Sequence, residues 1–266
     1  MVERKIYLYE THLSYLWCCC FAVVGLGNIY YRKGESQEVV ARFNDDPEYK
    51  ISMDTLHWGR SLLKEFDVWP TIIANPLQQT ETVSNANNLF VAVVISMLFH
   101  EVGHLVLHRT FADFLIQIQS SNYRKTQEDY RKLRRMEKEA DDYAFDCMLT
   151  SSSQLEVRFI NQLGTMVVHM ISLYHLDTAD TRMQSHPDVD DRLRNIVKQL
   201  KFGNEAERIQ MKSLCCLGVQ LFMSLTGVEF IPESEADASF KDFEDLEEHL
   251  FGLITKMKDQ ARNLGI

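Results

Sequence analysis

Apolar residues recur along most of the chain at steps of three and four, the spacing that places them on one face of a helix. The periodicity is clearest in residues 126–149, where the apolar positions are Leu133, Met136, Ala140, Tyr143, Ala144 and Cys147. Proline and glycine are scarce, with 5 and 11 residues, so few positions interrupt the pattern. The chain is therefore predicted to be mostly helical, with helices over residues 13–24, 53–65, 84–108, 126–149, 154–176, 188–201, 205–226 and 240–263.

Two short segments in the first half carry a different pattern. Residues 28–32 and 69–74 are rich in aromatic and β-branched side chains, which favour strands. Pro70 stands near the start of the second segment, where a strand tolerates proline. The predicted fold class is therefore α+β, a predominantly helical domain with a small sheet in its N-terminal half.

The length and composition favour one folded domain over residues 1–266, long enough to bury a sizeable core. Its centre is expected at about residues 85–200, with an N-terminal part of helices and sheet before it and a helical extension over 201–266. Hydrophobic residues make up 45% and charged residues 25%, an ordinary balance for a globular protein. The formal net charge of -10 disfavours nucleic-acid binding, which needs a broad basic face.

Cysteine usage and the N-terminal segment bear on the cellular compartment. Five of the six cysteines are immediate neighbours of another cysteine, namely Cys18, Cys19, Cys20, Cys215 and Cys216. Adjacent cysteines rarely build a disulfide framework, so we interpret them as buried apolar side chains in a reducing cytoplasm. The first residues lack a signal-peptide pattern. Residues 13–31 carry no charge over nearly the length of a membrane span, which leaves a membrane-tethered protein as the alternative.

The most specific motif is His-Glu-Val-Gly-His at residues 100–104. On a helix, His100 and His104 lie one turn apart on one face, so both imidazoles can bind a single zinc ion at about 2.0–2.1 Å. Glu101 follows one step round the helix, where a carboxylate can take a proton from an attacking water. The flanks are strongly apolar, and burying these groups without a purpose costs free energy, so we interpret the motif as a metal site.

A catalytic zinc ion takes three protein ligands and keeps one position open. Glu137 and Asp141, four residues apart on the next predicted helix, can supply the third ligand and a carboxylate that orients a ligating imidazole. Glu139 lies about 200° from Glu137 around that helix and is expected to face elsewhere. His108 is one turn beyond His104, roughly 6 Å along the axis, so we interpret it as a packing or capping histidine.

Residues 233–237 repeat the spelling Glu-x-x-Ala-Asp, but they follow Pro232 and lack an apolar helical continuation. We therefore prefer Glu137 as the ligand, because rigid elements hold metal ligands more accurately than loops do. A last polar block covers residues 185–192, Ser-His-Pro-Asp-Val-Asp-Asp-Arg. By itself this block would be a turn before a helix.

Together the three blocks His-Glu-x-x-His, Glu-x-x-Ala-Asp and His-Pro-x4-Arg resemble the gluzincin metallopeptidases, most closely the HtpX and CaaX-prenyl-protease group. The resemblance covers residues 91–197. The chain lacks the paired membrane helices of that group, and in this it is similar to the Lit-type phage-exclusion peptidases, which are intracellular. It is also similar to repressor-cleaving peptidases of the ImmA/IrrE type, which generally lack the third block.

The resemblance implies a zincin-like zinc endopeptidase with His100, His104 and Glu137 as metal ligands. It also implies that Asp141 forms a hydrogen bond with a ligating imidazole and that Glu101 is the general base. By the same resemblance, the catalytic donors to the oxyanion are His186 and Arg192. The implied substrate is an intracellular protein or peptide, and the implied setting is phage defence; the oligomeric state stays open. A non-catalytic metal-binding module is the other alternative, which the presence of a base disfavours.

Overall fold

The computed structural model describes residues 6–33, 46–108, 110–119, 124–151, 154–178, 180–183, 186–228 and 240–264. Within these ranges the chain forms nine helices: α1 (Glu10–Lys33), α2 (Pro47–Ser61), α3 (Glu81–Leu107), α4 (Phe111–Gln119), α5 (Gln127–Thr150), α6 (Leu155–Tyr174), α7 (Val189–Gln199), α8 (Glu205–Leu225) and α9 (Phe243–Leu264).

The predicted small sheet in the N-terminal half is wrong, and so is the α+β class, because the described residues contain no strand. Residues 28–32 continue α1 instead. The glycines before them serve close helix packing: a Cβ at Gly25 would collide with Ser52 Oγ, and one at Gly27 would lie 3.0 Å from Leu214. Tertiary packing therefore outweighs the strand preference of the aromatic residues that follow.

The second predicted strand forms turns. Its first aromatic residue, Trp69, packs on Trp17 and Trp58 with ring centroids 5.5 and 4.5 Å away. The indole N–H of Trp69 donates a hydrogen bond to the carbonyl of Ala74 at 3.0 Å, which closes the segment on itself. Ile72 is 88% exposed, so this apolar run has no partner strand to cover it.

Most predicted helices agree with the structure to within a few residues. The exceptions are α1, which continues to Lys33 and not to residue 24, and α2, which begins at Pro47 and not at residue 53. The N-cap of α3 is Thr80, whose hydroxyl accepts a hydrogen bond from the Val83 N–H at 3.2 Å, so this helix starts before the predicted residue 84. Thr126 and Asp129 cap the start of α5 reciprocally. The residues between the predicted helices at 84–108 and 126–149, expected to form no helix, contain α4.

The helix α3 lies at the centre of the fold and packs against α1, α5 and α6. Further layers form as α2 packs on α1, α7 and α8 pack on α6, and α9 covers α8. The largest side chains that are fully buried include Tyr15, Phe145, Met166, Met170, Tyr174 and Phe222. This arrangement sets the last turns of α3 beside the middle of α5.

The structure shows where the cysteines and the most apolar helices lie. All six cysteines are free, and the five neighbouring ones are buried, as expected. Two described helices, α1 and α3, are long and apolar enough to cross a membrane; 72% of the most apolar window of α1 is buried inside the protein, and 33% of that of α3. The candidate anchor at 13–31 thus coincides with a helix that the rest of the chain largely encloses.

The helices α3 and α6 approach closely at Gly164, where an added Cβ would lie 2.6 Å from Ala92 Cβ and 2.9 Å from its carbonyl carbon. We expect Gly164→Ala to lower the free energy of unfolding by about 1–3 kcal/mol, because the two backbones must separate. Urea unfolding measures this change.

The matched control is Gly252→Ala in α9, where an added Cβ meets no atom within 4 Å. This control should be neutral or stabilising by up to about 1 kcal/mol, since alanine favours a helix. Equal unfolding midpoints for the Gly164→Ala variant and the parent would contradict the close approach.

Candidate metal centre

Two helices bring three candidate metal ligands together: His100 and His104 from α3, and Glu137 from α5. The Nε2 atoms of the two imidazoles are 3.2 Å apart. The Glu137 carboxylate oxygens lie 3.4 Å from His100 Nε2 and 3.5 Å from His104 Nε2. Such separations fit neighbouring ligands of one cation with bonds of about 2.0–2.2 Å. These three residues, called the triad below, could therefore hold a divalent metal ion.

The approach of α5 to α3 depends on small residues at their contact. A Cβ at Gly103 would lie 3.1 Å from the Tyr143 ring and 3.2 Å from Ala140 Cα. Because neither Gly103 nor Ala140 carries a longer side chain, the two helix backbones can come close enough for Glu137 to reach the imidazoles. The second Glu-x-x-Ala-Asp stretch, residues 233–237, lies outside the described residues.

A buried carboxylate and a guanidinium stand behind one imidazole of the triad. Asp141 Oδ1 lies 2.9 Å from His100 Nδ1. Arg192, on α7, donates from Nε and Nη2 to the two carboxylate oxygens of Asp141 at 2.8 and 2.7 Å. A bidentate guanidinium holds a carboxylate in one orientation, and the carboxylate then orients the imidazole. This series of contacts, from Arg192 on α7 through Asp141 on α5 to His100 on α3, thus directs His100 Nε2 towards Glu137.

The other imidazole, that of His104, is linked through His108 to a carboxylate on α5. His104 Nδ1 lies 3.3 Å from Nδ1 of His108, the C-cap residue of α3, and His108 Nε2 lies 2.7 Å from Glu139 Oε2. With His104 Nε2 facing the triad, its Nδ1–H can donate to His108, whose Nε2–H then donates to Glu139. The sequence indicates only packing or capping for His108, because spacing along α3 does not show what faces the ring from α5.

The last block brings His186 to the triad, with its Nε2 3.4 Å from Glu137 Oε1. Two ion pairs from Lys258, on α9, hold the segment that carries His186. Lys258 Nζ lies 2.9 Å from Asp188 and 2.9 Å from Asp190, both close to His186 in sequence. Sequence reasoning missed Lys258, because no motif links it to a block about seventy residues earlier. The C-terminal extension therefore helps to position a residue of the centre.

Glu101 and the triad line one open cleft of about 470 Å³, together with His186 and Arg192. Glu101 is exposed, and within the described part of the chain it makes no hydrogen bond or ion pair. Its carboxylate can therefore contact a water molecule or a substrate in the cleft.

Burial and neighbouring charges shift the pKa values of the two triad imidazoles in opposite directions. Burial alone would lower the pKa of His100, but Asp141 and Glu137 outweigh it and raise that pKa to about 9. Burial lowers the pKa of His104 to about 4, against the attraction of Glu137. Burial opposes ionisation of Asp141, yet the electrostatic interaction with His169 and the hydrogen bonds with His100 and Arg192 hold its pKa well below the usual range. At neutral pH His100 is thus a cation and His104 is neutral.

The comparisons with known proteins agree with a peptidase. The family model described as Peptidase U49 matches residues 6–212, from the residues before α1 into α8. The match spans the triad and the block that contains His186 and Arg192. No curated protein and no solved structure matches the chain. The resemblance to Lit-type peptidases is thereby supported at the level of a peptidase family.

The pKa of His100 gives a pH dependence for the metal-free protein. Because this pKa rises from 6.5 to about 9 on folding, its contribution to stability is complete below pH 6.5 and is lost as the pH rises to 9. We expect the free energy of unfolding to fall across that window by at most about 1.4 kcal/mol per pH unit. Urea unfolding with a chelator present measures it, and His100→Gln should remove this slope. A parent and variant with the same pH profile would contradict the expectation.

Proposed function

Because the chain belongs to the Peptidase U49 family, we propose that it is a zinc-dependent endopeptidase of the gluzincin type with His100, His104 and Glu137 as the metal ligands. The observation that carries the proposal is the convergence of these three side chains within 4.8 Å of one another. Two imidazoles and one carboxylate are a donor set that suits zinc in catalytic sites. The open cleft beside the triad leaves room for water and substrate.

The reaction is the hydrolysis of a peptide bond in a protein or peptide. When bound, zinc supplies Lewis-acid chemistry, polarising the scissile carbonyl and making the attacking water more acidic. Glu101 takes the proton from that water and later gives it to the leaving amine, as a general base and then a general acid. Its exposure within the cleft and its lack of an ion pair among the described residues support this role.

His186 and Arg192 stabilise the negative charge that develops on the carbonyl oxygen. Both residues line the cleft, and His186 Nε2 lies 3.4 Å from the Glu137 carboxylate. Donors held in place before the reaction stabilise such charge more than mobile water does. Arg192 has a second function in this proposal, because it also fixes Asp141, which orients His100.

The biological role that we favour is Lit-type phage exclusion in the cytoplasm, by cleavage of an intracellular protein. The block at residues 185–192 favours this over an ImmA/IrrE-type repressor-cleaving peptidase, because such peptidases generally lack it. A non-catalytic metal-binding module would have no need of an exposed carboxylate such as Glu101 beside the triad.

The variant Glu101→Gln tests the chemistry. It should keep the zinc content of the parent, because Glu101 is not a ligand, and lose roughly 10²–10⁴-fold in hydrolysis, the usual contribution of a general base. Metal analysis of the purified protein and a proteome-wide comparison of new N-termini in expressing cells measure the two effects.

Glu156→Gln is the matched control, an exposed glutamate on α6 that lies outside the cleft of the triad. It should cut the same proteins as the parent. Identical cleavage by the Glu101→Gln variant would show that another residue is the base.

A second test concerns the side-chain contacts that link His104 to Glu139 through His108. We expect His108→Phe to weaken zinc binding about 10–100-fold, since partners behind a ligating histidine have effects of that size. His57→Phe, the same change at an exposed position on α2, should leave the zinc Kd unaltered. Competition with a chromogenic chelator measures the Kd, and equal values for both variants would rule out a contribution of His108.

A further inference from the structure

We propose that two copies of the chain pair through the outward face of α3, with the two copies of this helix parallel. Six residues form that face and are called the seam below: Asn88, Val91, Ile95, Leu98, Val102 and Leu105. Each of them is exposed or half-exposed in the single chain. The pairing is independent of the proposed peptidase function, and it gives the protein an interface and an oligomeric state.

The seam is an apolar surface that the described part of the chain leaves largely uncovered. Val91 is 54% exposed, and Ile95 and Leu105 are each 39% exposed. Residues 82–99 contain no charged side chain, and only 33% of the most apolar window of α3 is buried inside the protein. Continuous apolar surfaces of this kind on a protein mark sites of interaction.

The spacing of the seam favours a second helix as its cover. Its residues alternate steps of three and four along the chain, from Asn88 to Leu105. This alternation is the heptad repeat, in which the first and fourth positions of each seven form one row of side chains. Two helices that both carry such a row pack side by side, each row filling the gaps of the other.

The residue types in the seam favour a parallel pair of helices. In parallel two-stranded coils, β-branched residues prefer the first heptad position and leucine prefers the fourth. Ile95 and Val102 hold first positions here, and Leu98 and Leu105 hold two of the three fourth positions. Asn88 holds the remaining first position, where a single asparagine sets the register of the two helices and their number.

A second copy of the same chain matches this pattern without further requirements. A twofold axis parallel to α3 places each seam residue opposite its own counterpart. The amide of Asn88 then meets another amide, with which it can exchange hydrogen bonds, and not an apolar side chain. The formal net charge of -10 disfavours the other apolar partner, a membrane surface, because that surface is anionic.

The seam and the metal centre lie on opposite sides of α3. His100 follows Val91 by nine residues, and His104 follows Ile95 by nine residues. Nine steps of about 100° place the two members of each pair about 180° apart around the helix. A partner on the seam therefore leaves the triad uncovered, and the two metal centres of the pair face away from each other.

Opposite charges at one seam position test the pairing in the purified full chain. Ile95→Lys and Ile95→Glu each place two like charges across the twofold axis, so each should raise the dimer Kd at least about 100-fold. An equimolar mixture of the two variants should regain the dimer, because lysine then faces glutamate. Sedimentation equilibrium measures the masses and the Kd.

Ile51→Lys is the matched control for these variants. Ile51 lies on α2, outside the seam, and is 44% exposed, close to the 39% of Ile95. The control should keep the dimer Kd of the parent. Recovery of the dimer in the mixture also shows that the Ile95 variants are folded.

The variant Asn88→Cys tests the orientation of the two helices. In a parallel pair the new thiols face each other, so oxidation with diamide should link the two chains, and the parent with its own cysteines should stay unlinked. In an antiparallel pair that uses the same seam, the two thiols are about 25 Å apart at 1.5 Å per residue, too far for a disulfide. Non-reducing electrophoresis measures the link.

Four results would overturn the pairing. The parent could sediment as a monomer at micromolar concentration, and if this monomer bound vesicles of phosphatidylcholine and phosphatidylglycerol while Ile95→Lys did not, the seam would be a lipid contact. The dimer could persist in both Ile95 variants, which would place the interface elsewhere. The mixture of these variants could stay monomeric, and a dimer of Asn88→Cys that does not link would exclude the parallel arrangement.

Discussion

The close contact between α3 and α5 is the constraint on which the centre depends. Two imidazoles from one helix cannot enclose a cation alone, so the third donor must come from a second backbone at short range. Gly103 and Ala140 allow that range, because a Cβ at Gly103 would already lie 3.2 Å from Ala140 Cα. The same contact places two acidic residues of α5 opposite α3, at different positions along the axis of α3. Glu137 reaches His100 and His104, and Glu139 reaches the end of α3.

That contact also brings several charged side chains together in the protein interior. Burying a charge costs free energy unless a group of opposite charge lies beside it. The charged side chains of the centre satisfy this requirement because their signs alternate. The Arg192 cation lies on the Asp141 anion, and Asp141 lies beside the His100 cation, which faces the Glu137 anion. Each charged group therefore lies beside one of opposite sign, which offsets part of the cost of its burial.

The sequence shows what lies along one helix, and the structure adds what lies between helices. Spacing alone places His100 with His104 and Glu137 with Asp141, since residues four apart share a helix face. The contact of His108 with Glu139, and that of Lys258 with the segment of His186, depend on packing between distant parts of the chain. The predicted sheet fails for the same reason. Strand propensity describes a half-buried pleated surface, whereas residues 28–32 continue α1, where Ile29 is fully buried in the helical core.

The terminal helices show how the fold extends the site beyond the residues of the sequence motifs. The first helix is apolar because α2, α3 and α8 pack around it, yet its opening turns carry His12 and Tyr15 to the edge of the centre. The last helix lies outside the residues that the family model matches, and Lys258 holds the acidic residues next to His186. The three candidate metal ligands come from the middle of the chain, and residues near both ends border the site that they form.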